Sequence, residues 1–395
     1  MNFFNVLQYV IICYFAFSII YVLIFSFASL FSYKLKNKFS GTYRKIAVLI
    51  PSYKEDSVIL ETAKDALHQN YPTEYFDIII IADKLADKSI ASLKQLPIKL
   101  IEVNFEISTK SKALNKAMEI LPNNYDLAVI LDADNLMEKD FLSKINNAFN
   151  NNYVAVQGHR IAKNTNTSFA ILDAISEEIN NNIFRKGHRV LGFSSALIGS
   201  AIAIDYQIFK KLMKSAKSVG GFDKEIELKL LKERYVIEYL EDAYVYDEKV
   251  QKSDVFVNQR RRWLSAQFYY FGQDFPKAVW HLITKGNYDY FDKALQFIQL
   301  PRILLLGLLF IFCILSLLFN PVYLSICWSV MFVGCIFVFI FSIPIKFYNC
   351  KTLLSIWSLP KGFFLMLFSL FRSIGANKNF IHTEHSNNKP IKNIK

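Results

Sequence analysis

The stretch LAVILDADN, residues 127–135, decides how the rest of the chain is read. Five apolar residues, 127–131, predict a buried strand, and Asp132 and Asp134 follow where that strand would leave its sheet. Two carboxylates are thereby delivered to a sheet edge. In an open α/β sheet the carboxyl ends of the strands are where ligands bind. An Asp-x-Asp pair there can hold a hard divalent cation, Mg2+ or Mn2+, and leave coordination positions open for phosphates. A nucleoside diphosphate with its metal suits this chemistry. The competing reading of DAD is a solvated acidic turn, so the surroundings must decide.

Upstream, residues 45–122 alternate short apolar runs with amphipathic stretches. Strands are predicted at 46–50, 77–82 and 98–103, and helices at 57–69, 87–96 and 112–121. This order predicts a parallel, mainly doubly wound sheet with right-handed crossovers, in which the DAD strand is the fourth. Polar residues fall at the same rim: Pro51, Tyr53 and Glu55 in PSYKED, Asp83 after the second strand, and Lys112 in SKALN. A Lys near a helix start opposes the helix dipole, and a bound diphosphate would remove that conflict. Each segment alone is an ordinary loop; together they outline a nucleotide pocket.

Downstream, 153–157 predicts a further strand and 167–185 a helix. The small-residue run LGFSSALIGSAIAI, 191–204, permits close approach of backbone to a ligand and equally fits a tightly packed core. Residues 220–248 carry many carboxylates; 225–231 predicts a short helix, and 236–240 and 243–246 predict short strands. One of these acids is a candidate general base, and spacing alone does not choose it. In NQRRRWLSA, 258–266, three arginines and Trp263 suit a membrane interface. They equally suit a phosphate gripped by guanidinium groups beside an indole on which a sugar stacks.

The composition is too apolar for an ordinary soluble chain of 395 residues: 53% hydrophobic, 36 Phe and a mean hydropathy of +0.22. Residues 9–31 form an uncharged run of 23, long enough to span a bilayer. The run exceeds the apolar region of a secretory signal and no small-residue cleavage site follows, so it is read as a retained anchor. Lys34, Lys36, Lys38, Arg44 and Lys45 come next, and the positive-inside rule then places the central domain in the cytoplasm, at an inner or plasma membrane. Residues 303–319 and 322–343 predict a transmembrane hairpin, and 268–302 predict amphipathic helices lying in the interface. Residues 357–371, only 15 long with Pro360 and Lys361 inside, predict an interfacial or re-entrant element that leaves the basic tail, 378–395, cytoplasmic. The expected organisation is an anchor (1–33), a cytoplasmic domain (34–265), interfacial helices (266–302), a hairpin (303–343) and an interfacial segment with tail (344–395).

The net charge of +12 fits this orientation signal and a membrane-facing or phosphate-facing surface. No nucleic-acid module is visible, so nucleic acid is not an expected partner. The five cysteines, Cys13, Cys313, Cys327, Cys335 and Cys350, all avoid the polar middle of the chain, which argues against a disulfide framework or a Cys/His zinc site.

The ordered set PSYKE, Asp83, KALN, DAD, GSA, an acidic helix and QRRRW, flanked by membrane helices, resembles the membrane-integrated inverting glycosyltransferases of family two. That group contains cellulose, chitin and hyaluronan synthases and ceramide glucosyltransferases. The match covers about residues 45–263; DAD looks like the family's Asp-x-Asp motif, and Gln259, Arg262 and Trp263 look like its more specific Gln-x-x-Arg-Trp motif. The resemblance implies an α/β GT-A fold with a Rossmann-like mixed sheet, a UDP-sugar donor and a polysaccharide or lipid-linked acceptor. It implies Mg2+ or Mn2+ bound through Asp134 with Asp132 nearby. Asp83 with Pro51, Tyr53 and Glu55 would hold the uridine, and Lys112 would place the nucleotide. Gln259, Arg262 and Trp263 would line the diphosphate and acceptor mouth, and Gly199 and Ser200 resemble the family's acceptor loop.

The family's base is the Asp of a Glu-Asp pair. Glu241-Asp242 is the literal match, but Asp242 stands only 17 residues before Gln259, too close for the family's layout. Lys224-Glu225 stands about twice as far away, with Leu228 and Leu230 following as the pattern requires. Glu225 is therefore the expected base, Asp242 the second choice and Asp223 the third. A side chain longer by one methylene serves only if the backbone withdraws, because proton transfer needs hydrogen-bond reach. The mechanism implied is one in-line displacement with inversion at the anomeric carbon. Processive synthesis and single transfer to a lipid both remain open, as does oligomerisation or a place in a synthase complex. The alternative from another class is a non-catalytic nucleotide-sugar-binding subunit. A transporter is disfavoured because the membrane segments lack buried charges.

Overall fold

The runs IAVLIPSY and FDIIIIAD are apolar at almost every position, as strands covered on both faces are. The computed structural model, which describes residues 3–33, 35, 41–216, 220–251 and 253–373, places both in an eight-stranded sheet. Lys34, Lys36, Lys38 and the tail 378–395 lie outside the described residues. In chain order, α1 (Phe3–Ala28) precedes β1 (Ile46–Tyr53), α2 (Ile59–Ala66), β2 (Phe76–Asp83), α3 (Asp87–Leu93), β3 (Lys99–Val103), α4 (Lys110–Ile120) and β4 (Leu127–Ile130). Next come β5 (Leu136–Met137), α5 (Phe141–Ala148), β6 (Ala155–Ala162), α6 (Ser168–Asn180), a π-helical stretch (Asn181–Gly187) and the single turn α7 (His188–Val190). They are followed by β7 (Ile202–Asp205), α8 (Tyr206–Lys214), α9 (Phe222–Lys232) and β8 (Ile237–Asp247). The chain continues through α10 (Ser253–Lys285), α11 (Tyr288–Gln296), α12 (Arg302–Phe319), α13 (Val322–Ser342), α14 (Cys350–Ser355) and α15 (Leu359–Phe371).

The strand order is β3-β2-β1-β4-β7-β6-β8-β5. β1 pairs in parallel with β2 and β4, and β2 with β3, which is the doubly wound half expected from the sequence. The other half corrects the expectation of a parallel sheet. β7 runs antiparallel between β4 and β6, and β5 is antiparallel to β8. β7 follows α6, the π-helical stretch, α7 and the small-residue run and enters the sheet from the opposite end; the result is the GT-A-like mixed sheet that the resemblance implies. The two short strands expected at 236–246 are one strand, β8, which bulges opposite Gly158 and His159 without breaking.

Period-two alternation builds two cores. Ala47, Leu49, Ile79 and Ile81 face Leu114 of α4, Phe209 of α8 and Ile226 of α9, whereas Ile46, Val48, Ile50, Ile78 and Ile80 face Ile59 of α2 and Phe141 of α5.

Four helical segments, Val6–Ala28, Arg302–Phe319, Val322–Ser342 and Cys350–Phe371, are long and apolar enough to cross a membrane. The last is longer than the 15 residues expected from the sequence: Pro360 sits in the first turn of α15, where a missing N–H loses no intrahelical bond, so the helical run continues from Cys350 over 22 residues. The region 258–302 is also simpler than expected, since the single 33-residue helix α10 carries both QRRRW and the aromatic stretch that follows it.

The long apolar helices and the sheet domain share packing. Tyr21, Val22 and Phe25 of α1 pack with Ile171, Ala174, Ile175 and Ile179 of α6, while Phe15 and Ile19 pack with Leu305, Leu309, Trp328 and Met331. A second tie is ionic. Glu178 of α6, buried, meets His159 Nε2 at 2.9 Å and Lys346 Nζ at 2.6 Å, joining β6 to the segment after α13.

Burial pushes the Glu178 carboxyl up, but His159 and Lys346 outweigh it and hold its pKa down at about 2, against an ordinary value of 4.5. A depressed carboxylate contributes stability that is complete above its unfolded pKa and is lost as pH falls through the folded one. The contribution is on the order of 3 kcal/mol. Thermal melts of the parent and Glu178→Gln are therefore expected to converge as the pH drops below about 4.5 towards about 2. A gap that stays constant over that window would show that the pair does not set the carboxyl's protonation.

Candidate functional site

The strand directions bring the carboxyl ends of β1, β2, β4, β6 and β8 and the start of β7 to one rim. Asp132 and Asp134 leave β4 there. Asp134 is 1% exposed, and its carboxylate accepts from the Glu248 N–H at 3.1 Å and from Asn135 Nδ2 at 3.2 Å. Asp132 is more open; it is ion-paired with Lys110 and lies 3.8 Å from Arg160 Nη1.

Two lysines stand at the start of α4, Lys110 and the Lys112 singled out from the sequence. The Thr109 hydroxyl accepts from the Lys112 N–H and caps α4, which makes Lys110 the first helical residue. The Lys110 ammonium donates to Asp132 and, at 2.6 Å, to the Gly199 carbonyl. Lys112 is exposed and donates to the Ile107 carbonyl at 2.8 Å. Its charge is felt at Asp83, and it is Lys110 that joins the DAD loop to the Gly199–Ser200 turn.

At the end of β2, Asp83 is 2% exposed, its Oδ1 has no hydrogen-bond partner among the described residues, and burial raises its pKa. The Lys54 N–H donates to the Asp83 carbonyl at 3.1 Å, which ties the β1 and β2 loops together. Lys54 and Lys84 both take left-handed backbone, φ 54° and 55°, uncommon for side-chain-bearing residues. Their ammonium groups stand 5.5 and 5.9 Å from the Tyr53 ring centre. Pro51 pairs opposite Ile81, the register of β1 closes with Tyr53 opposite Asp83, and the buried Glu55 turns the chain into α2 with its carbonyl accepting from Val58 and Ile59. This corner offers an unpartnered buried acceptor, an aromatic face and two cations.

Gly199, φ +38°, and Ala201, φ +55°, turn the backbone sharply before β7, and the Ser200 hydroxyl donates to Asn135. Behind them lies a cluster the sequence does not announce. Arg160 of β6 donates to Glu177 of α6 at 3.0 Å and lies 3.5 Å from Asp247, and Lys249 reaches Asp247 at 2.8 Å and Glu177 at 3.4 Å. Burial pushes the Asp247 carboxyl up; Arg160 and Lys249 outweigh it and hold it below the usual carboxylate range. Lys249 and Glu177 stand 72 residues apart in the chain, so no local spacing marks them, although Asn135 immediately after DAD is a visible cue.

The three base candidates separate. Glu225 lies on the first turn of α9, paired with Lys229 at 2.7 Å. Asp223 lies on the same turn; burial raises its pKa, and Lys224, Lys293 and Lys110 together bring it below the ordinary value. Lys110 thus links Asp223 electrostatically to the DAD loop. Asp242 is exposed in the bulge of β8, five residues before the rim, where its carbonyl accepts from Lys144 of α5. It stands apart from the other candidates.

On α10, Gln259 Oε1 is buried without a partner among the described residues, burial lowers the pKa of Arg262, and Trp263 is 36% exposed. The intervening Arg260 is structural: it pairs with Asp173 of α6 and stacks 4.2 Å from the Trp263 ring centre.

The family described as glycosyltransferase like family 2 matches residues 44–266. A probable glycosyltransferase, YdaM, of Bacillus subtilis is 26% identical over 239 residues, covering 57% of this chain and 56% of that protein. The β-monoglucosyldiacylglycerol synthase of a Nostoc species is 23% identical over 266 residues, covering 64% of this chain and 54% of the relative. The chain thus spans about half the length of these curated relatives. Among solved structures, the mannosyltransferase PcManGT of Pyrobaculum calidifontis, in complex with GDP-Man and Mn2+, superposes with a TM-score of 0.52 at 12% identity, covering 92% of this chain and 95% of that one. That likeness is one of fold.

Proposed function

This chain belongs to the glycosyltransferase-like family 2, and from that membership we propose that it is an inverting glycosyltransferase using a nucleotide-sugar donor, a UDP-sugar, at a membrane. The observation that carries the reading is the meeting of the DAD loop, Lys110 and the Gly199–Ser200 turn at the rim that also holds Asp83, with Asp223 of α9 linked to it by the charge of Lys110. The acceptor is a lipid or lipid-linked glycan, in line with the name of the Nostoc relative and with the four apolar helices; a growing polysaccharide is the second choice. The sheet domain lies on the cytoplasmic side, α10 and α11 lie at the interface, and partner subunits are compatible with the exposed membrane helices.

Among the described residues no three His, Cys, Asp or Glu side chains converge closely enough to cage a metal. Asp132 and Asp134 are nonetheless hard oxygen donors, and Mg2+ or Mn2+ commonly binds through one or two carboxylates and completes its shell with water and substrate phosphates. The donor set therefore fits a cation that arrives with the diphosphate. Asp134, with Asp132, would hold it, and it would supply neutralisation of the departing diphosphate.

The chain's own residues supply the rest. Asp83, with Pro51, Tyr53 and Glu55, receives the base and ribose, and the unpartnered Asp83 Oδ1 accepts an N–H of the base. Lys110, with Lys112 beside Asp83, adds positive charge along the nucleotide. Gln259, Arg262 and Trp263 line the mouth, with Arg262 for diphosphate charge and Trp263 for stacking a sugar. Glu225 takes the proton of the acceptor hydroxyl as that oxygen attacks the anomeric carbon, and the nucleoside diphosphate leaves from the opposite face. Gly199 and Ser200 bring backbone close to the acceptor. An α-linked donor then gives a β-glycoside. Asp223, linked by charge to Lys110, is the second reading for the base.

Membranes containing the protein, supplied with Mg2+ or Mn2+, a panel of UDP- and GDP-sugars and glycolipid acceptors, should release nucleoside diphosphate from one donor and form a β-linked product. Nucleotide binding without release across the whole panel would assign the chain to the non-catalytic subunit class.

A further inference from the structure

Both oxygens of Asp134 are held by groups tied to the end of β8. The Glu248 N–H donates to Oδ2 at 3.1 Å, and Asn135 Nδ2 donates to Oδ1 at 3.2 Å. The same Asn135 amide nitrogen donates to Asp247 Oδ1 at 3.1 Å. Asp247 is gripped in turn by Lys249 Nζ, 2.8 Å from Oδ2, with Arg160 Nη1 3.5 Å from Oδ1. Lys249 is 2% exposed and Asn135 1%.

An ammonium group withdrawn so completely from water is stable only between carboxylates, and Lys249 has two, Asp247 and, at 3.4 Å, Glu177. Lys249 therefore does not act as a surface charge, and no step of the transfer reaction uses it. Its position does have a consequence for Asp134. The Asn135 Nδ2 bridges two carboxylates while its Oδ1 accepts from the Ser200 hydroxyl and the Asp132 N–H, so Asp247 is one of the groups that set how the amide nitrogen is presented to Asp134. Without Lys249, the remaining cation near Asp247 among the described residues is Arg160, which also answers to Glu177 and Asp132.

We propose that Lys249 is a positioning residue for the cation site: through Asp247 and Asn135 it fixes the orientation of the Asp134 carboxylate and so sets the affinity for the divalent cation that accompanies the nucleotide. This rests on the reading of Asp134 as the metal-binding carboxylate. Groups that orient a metal ligand without touching the metal typically change its affinity by about 10- to 100-fold when removed.

The test uses the full-length protein in detergent, with Mn2+ binding read by electron paramagnetic resonance in the presence of UDP and, in a second arm, GDP. Lys249→Met is expected to weaken Mn2+ binding by about 10-fold or more while metal-free nucleotide binding stays close to the parent's. Lys249→Arg, which keeps the charge, is expected to restore most of it. If Lys249→Met does not fold, as judged by its melting curve, the isosteric Asp247→Asn carries the same expectation. Parent-like Mn2+ affinity in Lys249→Met, or in Asp247→Asn, overturns the proposal, as does an Arg variant as weak as Met. A parent protein that binds no Mn2+ with either nucleotide overturns the metal reading of Asp134 itself, and the proposal with it.

Discussion

Glu225→Gln is expected to reduce sugar transfer by about 100- to 10,000-fold, the range over which general-base catalysis contributes, while nucleotide binding stays close to the parent's. Gln keeps the size and hydrogen-bonding reach of the side chain and removes its ability to take the acceptor's proton. Its expected signature is a fall in kcat with little change in the donor KM, because the proton moves only in the transition state. Asp134→Asn should also be silent, but with weakened metal-dependent nucleotide binding, which separates a lost ligand from a lost base. Asp242→Asn, altered in the exposed bulge of β8, is expected to retain activity. If Asp223→Asn proves to be the dead variant and Glu225→Gln works, the base is the carboxylate beside Lys110, and the assignment moves by two residues without changing the reaction. Product formation from the best donor, together with nucleotide binding, reads all four variants.

Gly187→Ala is expected to destabilise the folded chain by about 3 kcal/mol or more. Residue 187 ends the π-helical stretch where it crosses α1, and a Cβ there would overlap the Phe25 carbonyl oxygen and stand 2.9 Å from the carbonyl carbon. Both are backbone atoms, so no rotamer change relieves the overlap. The two segments must separate, and with them the packing of Tyr21, Val22 and Phe25 on Ile175, Ile179 and Ile183. Gly272, on the exposed side of α10, is the control, because an added methyl there would meet nothing within 4 Å. Gly272→Ala should be neutral or gain roughly 0.5–1 kcal/mol, because Gly is the poorer helix former. Thermal unfolding followed by tryptophan fluorescence compares the two, and a parent-like midpoint for Gly187→Ala would show that α1 does not dock on this stretch.

What the sequence reveals and what it hides follow the range of the forces involved. The apolar runs of β1 and β2, the exit of Asp132 and Asp134 from β4 and the acidic turn of α9 are written in neighbouring residues, and all are legible. The antiparallel insertion of β7 is not, since its partners, β4 and β6, are dozens of residues away and its own four residues carry no direction. Lys112 stands out over Lys110 in the sequence because the apolar pattern starts the helix two residues late, and the Thr109 cap decides which lysine faces the rim. Arg160, Glu177, Asp247 and Lys249 resemble solvated charges because sequence shows polarity but not the distant partner that makes burial tolerable. Pro360 looks like a breaker, whereas in a first helical turn it is an ordinary starter.

The two outer strands of the sheet bear on how copies of this chain can meet. β5 is two residues long, too short to template an added strand. β3 at the other edge carries Lys99, paired with Asp77 at 2.9 Å, and Glu102, paired with Lys94 at 2.7 Å, so that charged side chains flank its open backbone. Short and charged edges discourage strand-to-strand stacking between molecules. Neither edge of the sheet therefore offers a long, uncharged strand on which a neighbouring molecule's strand could add during synthesis.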